Sequence, residues 1–420
     1  MRARRTKKRI SIGLVLLASM GATGSWGRPW YTTNTTEWPN AISCANSDEW
    51  LVRHHDEIRV MRPRVLVINF ANANPAKRMR EQTEQLIRAL AESSRYHGYK
   101  NAGAPAFLQY EVFKYVDLRD GKSGNSALTP VKRHAGPGAM NFDNGALFSE
   151  RYAVYWGVRD PRDAKRYLRL DELIEQGYVH EVWYFIDPDG KVRCFECVEM
   201  KPRYDEEFRR VSNEWVQAGN GGDEDQPWIG RSVRINCLNW TRGIGCGFEN
   251  LGHALEGMAH SGAIPYFTKY FYEYAMFDLD KRYGLPFTSL YAVKMEPRQI
   301  RYPARGVMEV IVGGRTYTVS NYVAAGGNVH FPPNATGHYD QNNTVMVLST
   351  IEDWRIGSGA DGKDLAKPWN SGVLRRYERL APDCMGKWLV YWRQNMPGLE
   401  NRQRDEKGQR MKNWWGFLFY

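Results

Sequence analysis

The stretch RVLVINF at residues 64–70 constrains this chain more than any other, because apolar side chains follow one another there almost without interruption. Side chains on a strand point alternately to the two faces of a sheet, so such a run needs cover on both. This is the pattern of a buried parallel strand. The residues that follow agree with it. ANANPAKR turns into a helix whose Met79, Leu86, Ile87 and Leu90 form an apolar stripe, and FLQYEVFKYVDL at 107–118 reads as a second strand. Strand, helix and strand over this length make a βαβ unit.

HEVWYFI (180–186), VRCFECVEM and RSVRINCLNW (231–240) read as further strands, and YFTKYFYEYAMFDLDKRYG (266–284) as a helix. The expected fold class is therefore α/β, an open, mostly parallel sheet flanked by helices over residues 61–290. Residues 26–60 read as an N-terminal arm. From 291 to 420 the texture becomes β- and loop-rich and aromatic, expected to pack on the α/β part. VMEVIVGGRTYTVSNYV is a hairpin signal, and the closing MKNWWGFLFY reads as docked.

Residues 1–25 carry Arg2, Arg4, Arg5, Lys7, Lys8 and Arg9, then the short apolar run ISIGLVLLASMGA and small residues at 22–25. That order is a signal peptide, too short in its apolar part to span a membrane, and no later stretch resembles a span. The expected location is secreted, periplasmic or cell surface, with no stable membrane anchor after cleavage. Removing six basic and no acidic side chains with this segment lowers the net charge from +11 to +5. Such mild basicity, without a Lys/Arg block among aromatics, argues against nucleic acid as a partner. The six cysteines, Cys44, Cys194, Cys197, Cys237, Cys246 and Cys384, favour disulfides in an exported chain. At least one bridge is expected among Cys194, Cys197, Cys237 and Cys246, because the strand ends at 194–197 and 237 can neighbour each other.

The chemistry-bearing residues gather on FENLGHALEGMAH (248–260). Glu249, His253, Glu256 and His260 recur at i, i+4, i+7 and i+11, one stripe of a helix. Phe248, Leu251, Leu255 and Met258 form the core stripe about 100° away, so the polar stripe borders the buried face. Gly252, Ala254, Gly257 and Ala259 leave room for another backbone. His253 and Glu256, three apart, suit one cation, and the Pro-stiffened loop GNVHFPPN offers His330 as a third ligand. The expected metal set is thus His253, Glu256 and His330, with zinc as the cofactor. Glu249 and Glu196, the latter in CFEC and expected buried, are the candidate catalytic acids or bases. NWTRGIGCGF runs from a strand end through three glycines into the helix and reads as an anion cradle. Arg242, Asn239 and Asn334 are the expected substrate contacts.

These pieces together resemble an uncharacterised family of secreted bacterial and fungal proteins. The resemblance spans roughly 65–416. It rests on the VLVINF-like strand, HGY, EVW, Phe195–Glu196 and an Asn-aromatic-x-Arg-Gly-x-Gly turn at Asn239–Gly245. It continues through Gly-His-x-x-Glu at Gly252–Glu256, Gly-Asn-x-His-x-Pro-Pro-Asn at Gly327–Asn334, and Asn-Trp-Trp at Asn413–Trp415. Thr241 and Cys246 stand where the family has acidic residues, and Ala254 where it has a basic one. The resemblance carries a residue pattern and no activity.

The function expected from the residues is a secreted, zinc-dependent hydrolase acting on an extracellular peptide or polysaccharide. Two alternatives stay open: a metal-free glycosidase with a carboxylate pair, and a non-enzymatic protein that binds glycan or another envelope component through Trp and Tyr. The readings part at one point. An enzyme needs His253, Glu256 and His330 in one pocket, whereas a binding module needs only an exposed aromatic strip.

Overall fold

The computed structural model describes residues 31–133, 140–188, 191–220, 226–357 and 365–420. The expected signal segment, 1–25, lies outside the described residues. Six strands form the main sheet: β1 (Arg64–Asn69), β2 (Glu111–Asp117), β3 (Glu181–Ile186), β4 (Cys197–Tyr204), β5 (Arg210–Gln217) and β6 (Val233–Asn239). Their order across the sheet is β5-β4-β6-β3-β1-β2. β6, β3, β1 and β2 pair in parallel, whereas β4 runs antiparallel to both β6 and β5.

The sheet is therefore mixed, which corrects the expectation of a mostly parallel one. The reason is local. β4 and β5 are joined by a turn at 205–209, in which the Asp205 carboxylate accepts the backbone N–H groups of Glu207 and Arg209, and such a turn can only return the chain antiparallel. β5 itself, RVSNEWVQ, is an edge strand with four consecutive exposed residues and carries no apolar pattern to announce it.

The RVLVINF run does what its pattern demands. Val65 and Val67 join one apolar cluster, Leu66 and Ile68 the other, on opposite faces of the sheet. The first face is covered by α1 (Ala76–Ser93), α2 (Ile244–Ser261), α3 (Pro265–Ala275) and α4 (Gly386–Gln394). α4, GKWLVYWRQ, was not anticipated in the aromatic C-terminal region. All its residues are buried, so it carries no polar face for periodicity to detect. The helix expected over 266–284 breaks at Met276, which takes the left-handed conformation at φ +60.

Trp38, Leu51 and Ile58 from the expected arm, and Trp414 and Phe417 from the tail, belong to the same cluster as Val65. The hairpin signal forms β8 (Val307–Val312) and β9 (Arg315–Val319), joined at Gly313–Gly314 with φ +58 and +80, and β7 (Ile300–Ala304), which lies before the signal, pairs antiparallel with β8. No helix among the described residues is long and apolar enough to cross a membrane.

The two glycines of α2 explain how close its neighbours come. A Cβ on Gly257 would lie 2.4 Å from the Ala218 carbonyl oxygen, and one on Gly252 would lie 2.8 Å from Val329 Cγ2. The first lets the strand end after β5 reach the helix, and the second lets in the loop that carries His330.

Candidate metal centre

β6 ends at Asn239 and the chain passes through Thr241–Gly243 into α2. Most of that helix is buried, including Glu249, His253 and Glu256 at 3%, 8% and 5% exposure. Only the last member of the stripe, His260, reaches solvent, its Nδ1 bonded to the Glu256 carbonyl at 2.7 Å. The stripe therefore faces inward. Across from it lies the irregular loop 324–340. Phe331 N donates to Asn328 Oδ1 at 3.2 Å, and the buried Asn328 holds the turn that presents His330.

The two histidines meet: His253 Nε2 and His330 Nε2 are 3.1 Å apart, and Glu249 Oε1 is 3.4 Å from His330 Nε2. Ligand atoms of Glu249, His253 and His330 all lie within 4.8 Å of one another. Donors at ~2.0–2.2 Å from a tetrahedral zinc are about 3.3–3.6 Å apart, close to both separations. The acidic member of this group is Glu249, not Glu256, which had been expected as the ligand.

Glu256 is fully engaged elsewhere. It accepts from His253 Nδ1 at 2.7 Å, from Val329 N at 3.0 Å and from the Tyr291 hydroxyl at 3.1 Å. It thus ties α2 to the His330 loop and orients His253, as an outer carboxylate does for a metal-bound imidazole.

The tautomers follow from these partners. A carboxylate only accepts, so His253 carries its hydrogen on Nδ1 and its lone pair on Nε2. His338 Nε2 donates to the Val293 carbonyl at 3.2 Å, leaving a lone pair on its Nδ1. Burial lowers the His338 pKa, which keeps that ring neutral. His330 Nδ1, 3.3 Å from His338 Nδ1, must then be the donor, and its lone pair also sits on Nε2. With both rings neutral in these tautomers, two Nε2 lone pairs and a carboxylate oxygen converge.

A cation relieves that crowding, and without a metal the cation is a proton. Burial pushes His253 down, but the hydrogen bond and charge of Glu256, with the charges of Glu196 and Glu249, outweigh it and raise the pKa to about 9. Burial likewise pushes Glu249 up, while His330, Tyr339 and His253 more than offset it and hold the carboxylate below its usual range.

Glu196, expected to be buried, instead stands at the mouth. Its side chain is 42% exposed, 3.9 Å from His253 Nε2, and accepts from Asn220 Nδ2 at 2.7 Å. A cavity of about 330 Å³ opens beside His253 and Glu256, bounded by Asn220, His260 and Tyr291. The expected substrate contacts fare differently. Arg242 is exposed, and its charge is felt at Glu249, Cys246 and Cys384. Asn239 Oδ1 caps its own turn by accepting from Thr241 N at 3.0 Å.

Asn334 is withdrawn from substrate. It is fully buried, and its amide bridges the Asn343 and Val345 carbonyls at 2.7 and 2.8 Å. The anion cradle is already filled by the chain itself, since Asp383 Oδ1 accepts from Gly245 N at 3.0 Å. Sequence reasoning missed Tyr291 and Asp383, which lie 35 and 138 residues from their partners in the site. His338, a second histidine on the loop GNVHFPPNATGHYD, is legible in the sequence as an addition to the site, and its Nδ1 lies 3.3 Å from His330 Nδ1.

All six cysteines are free thiols, so the bridge expected among Cys194, Cys197, Cys237 and Cys246 is not formed. Cys197 faces Asn236 across the β4–β6 pair, not another cysteine. A scan of protein-family models and a search of curated proteins gave no match for this chain.

Substituting Glu256→Gln removes the charge behind His253 while keeping the volume. Zinc affinity is expected to fall ~10–100-fold, as for other outer-shell carboxylates. Competition against a chromophoric chelator measures it, and unchanged affinity would contradict the orienting role.

Proposed function

We propose that the chain is an exported hydrolase that uses zinc held by Glu249, His253 and His330 and acts on an extracellular peptide or polysaccharide. One observation carries this reading: a buried carboxylate and two buried imidazoles, Glu249, His253 and His330, bring ligand atoms within 4.8 Å of one another. Two imidazoles and one carboxylate form a donor set that suits zinc and leaves a position open to water or substrate. When bound there, zinc lowers the pKa of a water and polarises the bond to be cleaved.

The protein's own groups account for the rest. Glu256 and the His330–His338 pair keep both Nε2 lone pairs turned inward. Glu196, half exposed and steadied by Asn220, is within reach of the site as the base that takes the proton from an attacking water. Arg242 brings positive charge that is felt at Glu249 and suits an anionic substrate group. The exported location rests on residues 1–25 and is part of the proposal.

The raised pKa of His253 favours a second reading, a metal-free glycosidase with Glu196 and Glu249 as its carboxylate pair and a protonated His253 beside them in place of a metal cation. Elemental analysis separates the two. Protein purified without chelator and dialysed against zinc should carry about one zinc per chain; a metal content near zero overturns the zinc reading. Against a panel of peptides and polysaccharides, Glu196→Gln should lower turnover ~10²–10⁴-fold with zinc content unchanged. Equal turnover in the variant would remove Glu196 from the mechanism.

A further inference from the structure

Two thiols outside the metal centre meet where α2 begins. The first turn of α2 and the turn before α4 touch closely: Gly245 N donates to Asp383 Oδ1 at 3.0 Å, and a Cβ on Gly386 would lie 2.9 Å from Gly245 Cα. Cys246 and Cys384 each follow one member of the Gly245–Asp383 contact, the Cys384 thiol donates to Asp383 Oδ2 at 3.7 Å, and the two thiols are near enough to shift each other's ionisation. Cys384 sits at φ +46, a left-handed conformation that a side chain with a Cβ rarely adopts, and Gln341 Nε2 donates to its carbonyl. A strained backbone is thus held in the arrangement that brings the sulfurs together.

We propose that Cys246 and Cys384 are a thiol–disulfide couple, oxidised by a low-molecular-weight disulfide, whose bond ties the helix of the metal centre to the turn before α4. The Arg242 guanidinium lies beside both sulfurs and, with the helix N-terminus, favours a thiolate. The neighbouring Cys384 thiol and Arg242 lower the Cys246 pKa, while that of Cys384 is raised, so Cys246 is the better thiolate of the two. Cys384 is the more exposed of the two.

Exchange starts when the Cys246 thiolate attacks the incoming disulfide. This forms a mixed disulfide and releases one thiolate. The Cys384 sulfur then attacks Cys246, expels the second carrier thiolate and hands its proton to one of the two. Two protein sulfurs are oxidised and one external disulfide is reduced. The chemistry needs no metal, so it stands or falls separately from the zinc reading.

The test uses full-length, chelator-treated, reduced protein incubated with oxidised glutathione, with remaining thiols blocked by N-ethylmaleimide and peptides mapped without reductant. The expected result is one linked peptide pair holding Cys246 and Cys384, with four of the six thiols still labelled. Label on both Cys246 and Cys384, or a link joining either to a different cysteine, overturns the proposal. Cys384→Ser should leave no internal link at Cys246; a link that persists there also counts against it.

Discussion

His253→Ala is expected to abolish stoichiometric zinc binding while leaving the fold in place. The variant deletes one of three converging donors, so the loss should exceed the ~10–100-fold that an outer partner costs. Near neutral pH the metal-free variant also loses what protonated His253 contributes beside Glu256, so the readout is the zinc-induced change within each protein. Bound zinc stabilises the native state by about 4 kcal/mol when its concentration is a thousand times the Kd. Thermal melts with and without zinc therefore give a clear reading: a rise in Tm for the parent, none for the variant. Equal rises in both would sink the assignment of His253 as a ligand.

The same residue sets a pH dependence in the metal-free protein. The folded pKa of His253, about 9, lies above its ordinary 6.5. A group raised on folding contributes its stability fully below the unfolded value, and the contribution is lost as pH rises through the folded one. Chelator-treated parent should thus lose of the order of 3 kcal/mol between pH 6.5 and 9, a slope that His253→Ala flattens. With zinc present the sign reverses at low pH, because protons compete for the lone pairs that hold the metal.

The largest stability effect is expected from Arg234→Ala. Arg234 is buried in the sheet and pairs with Glu181 Oε1 at 2.6 Å and Glu199 Oε2 at 3.1 Å, while Lys201 Nζ closes on Glu199 Oε1 at 3.0 Å. Its remaining Nη2 donates to the Leu418 carbonyl at 2.8 Å, fastening the aromatic tail to the sheet. Removing the guanidinium leaves two carboxylates buried with their main counter-charge gone, a loss of about 3–5 kcal/mol. Urea unfolding measures it, and a loss below about 1 kcal/mol would contradict the network's role.

Acid then distinguishes this cause from a simple cavity. Burial pushes the Glu199 pKa up, but Arg234 and Lys201 more than offset it and hold it below normal. In the parent that stability is present above the unfolded carboxylate range and lost as pH falls through the folded value. In Arg234→Ala burial gains the upper hand, so protonation relieves the strain and the deficit should narrow on acidification. A deficit that stays constant with pH would point to lost packing alone.

Sequence alone determined the elements whose chemistry is local. Val65–Ile68 needed cover on both faces because apolar side chains occupy both sides of a strand, and both clusters are there. The 3.6-residue period put Glu249, His253 and Glu256 on one stripe beside the core, and the glycines of α2 announced close neighbours. The prolines after His330 marked a stiff irregular loop.

What the stripe would hold was a tertiary decision. Glu249 and Glu256 have nearly the same spacing from His253, and nothing in the chain's order ranks them. The choice was made when the 324–340 loop settled: Val329 N–H and the Tyr291 hydroxyl reached Glu256 and used up its oxygens, while His330 Nε2 arrived beside Glu249. The antiparallel β4–β5 edge and the wholly buried α4 were hidden for a related reason. A strand exposed at the edge of a sheet and a helix buried on every side both lack the two-sided contrast that periodicity reads, and only contacts between distant segments supply it.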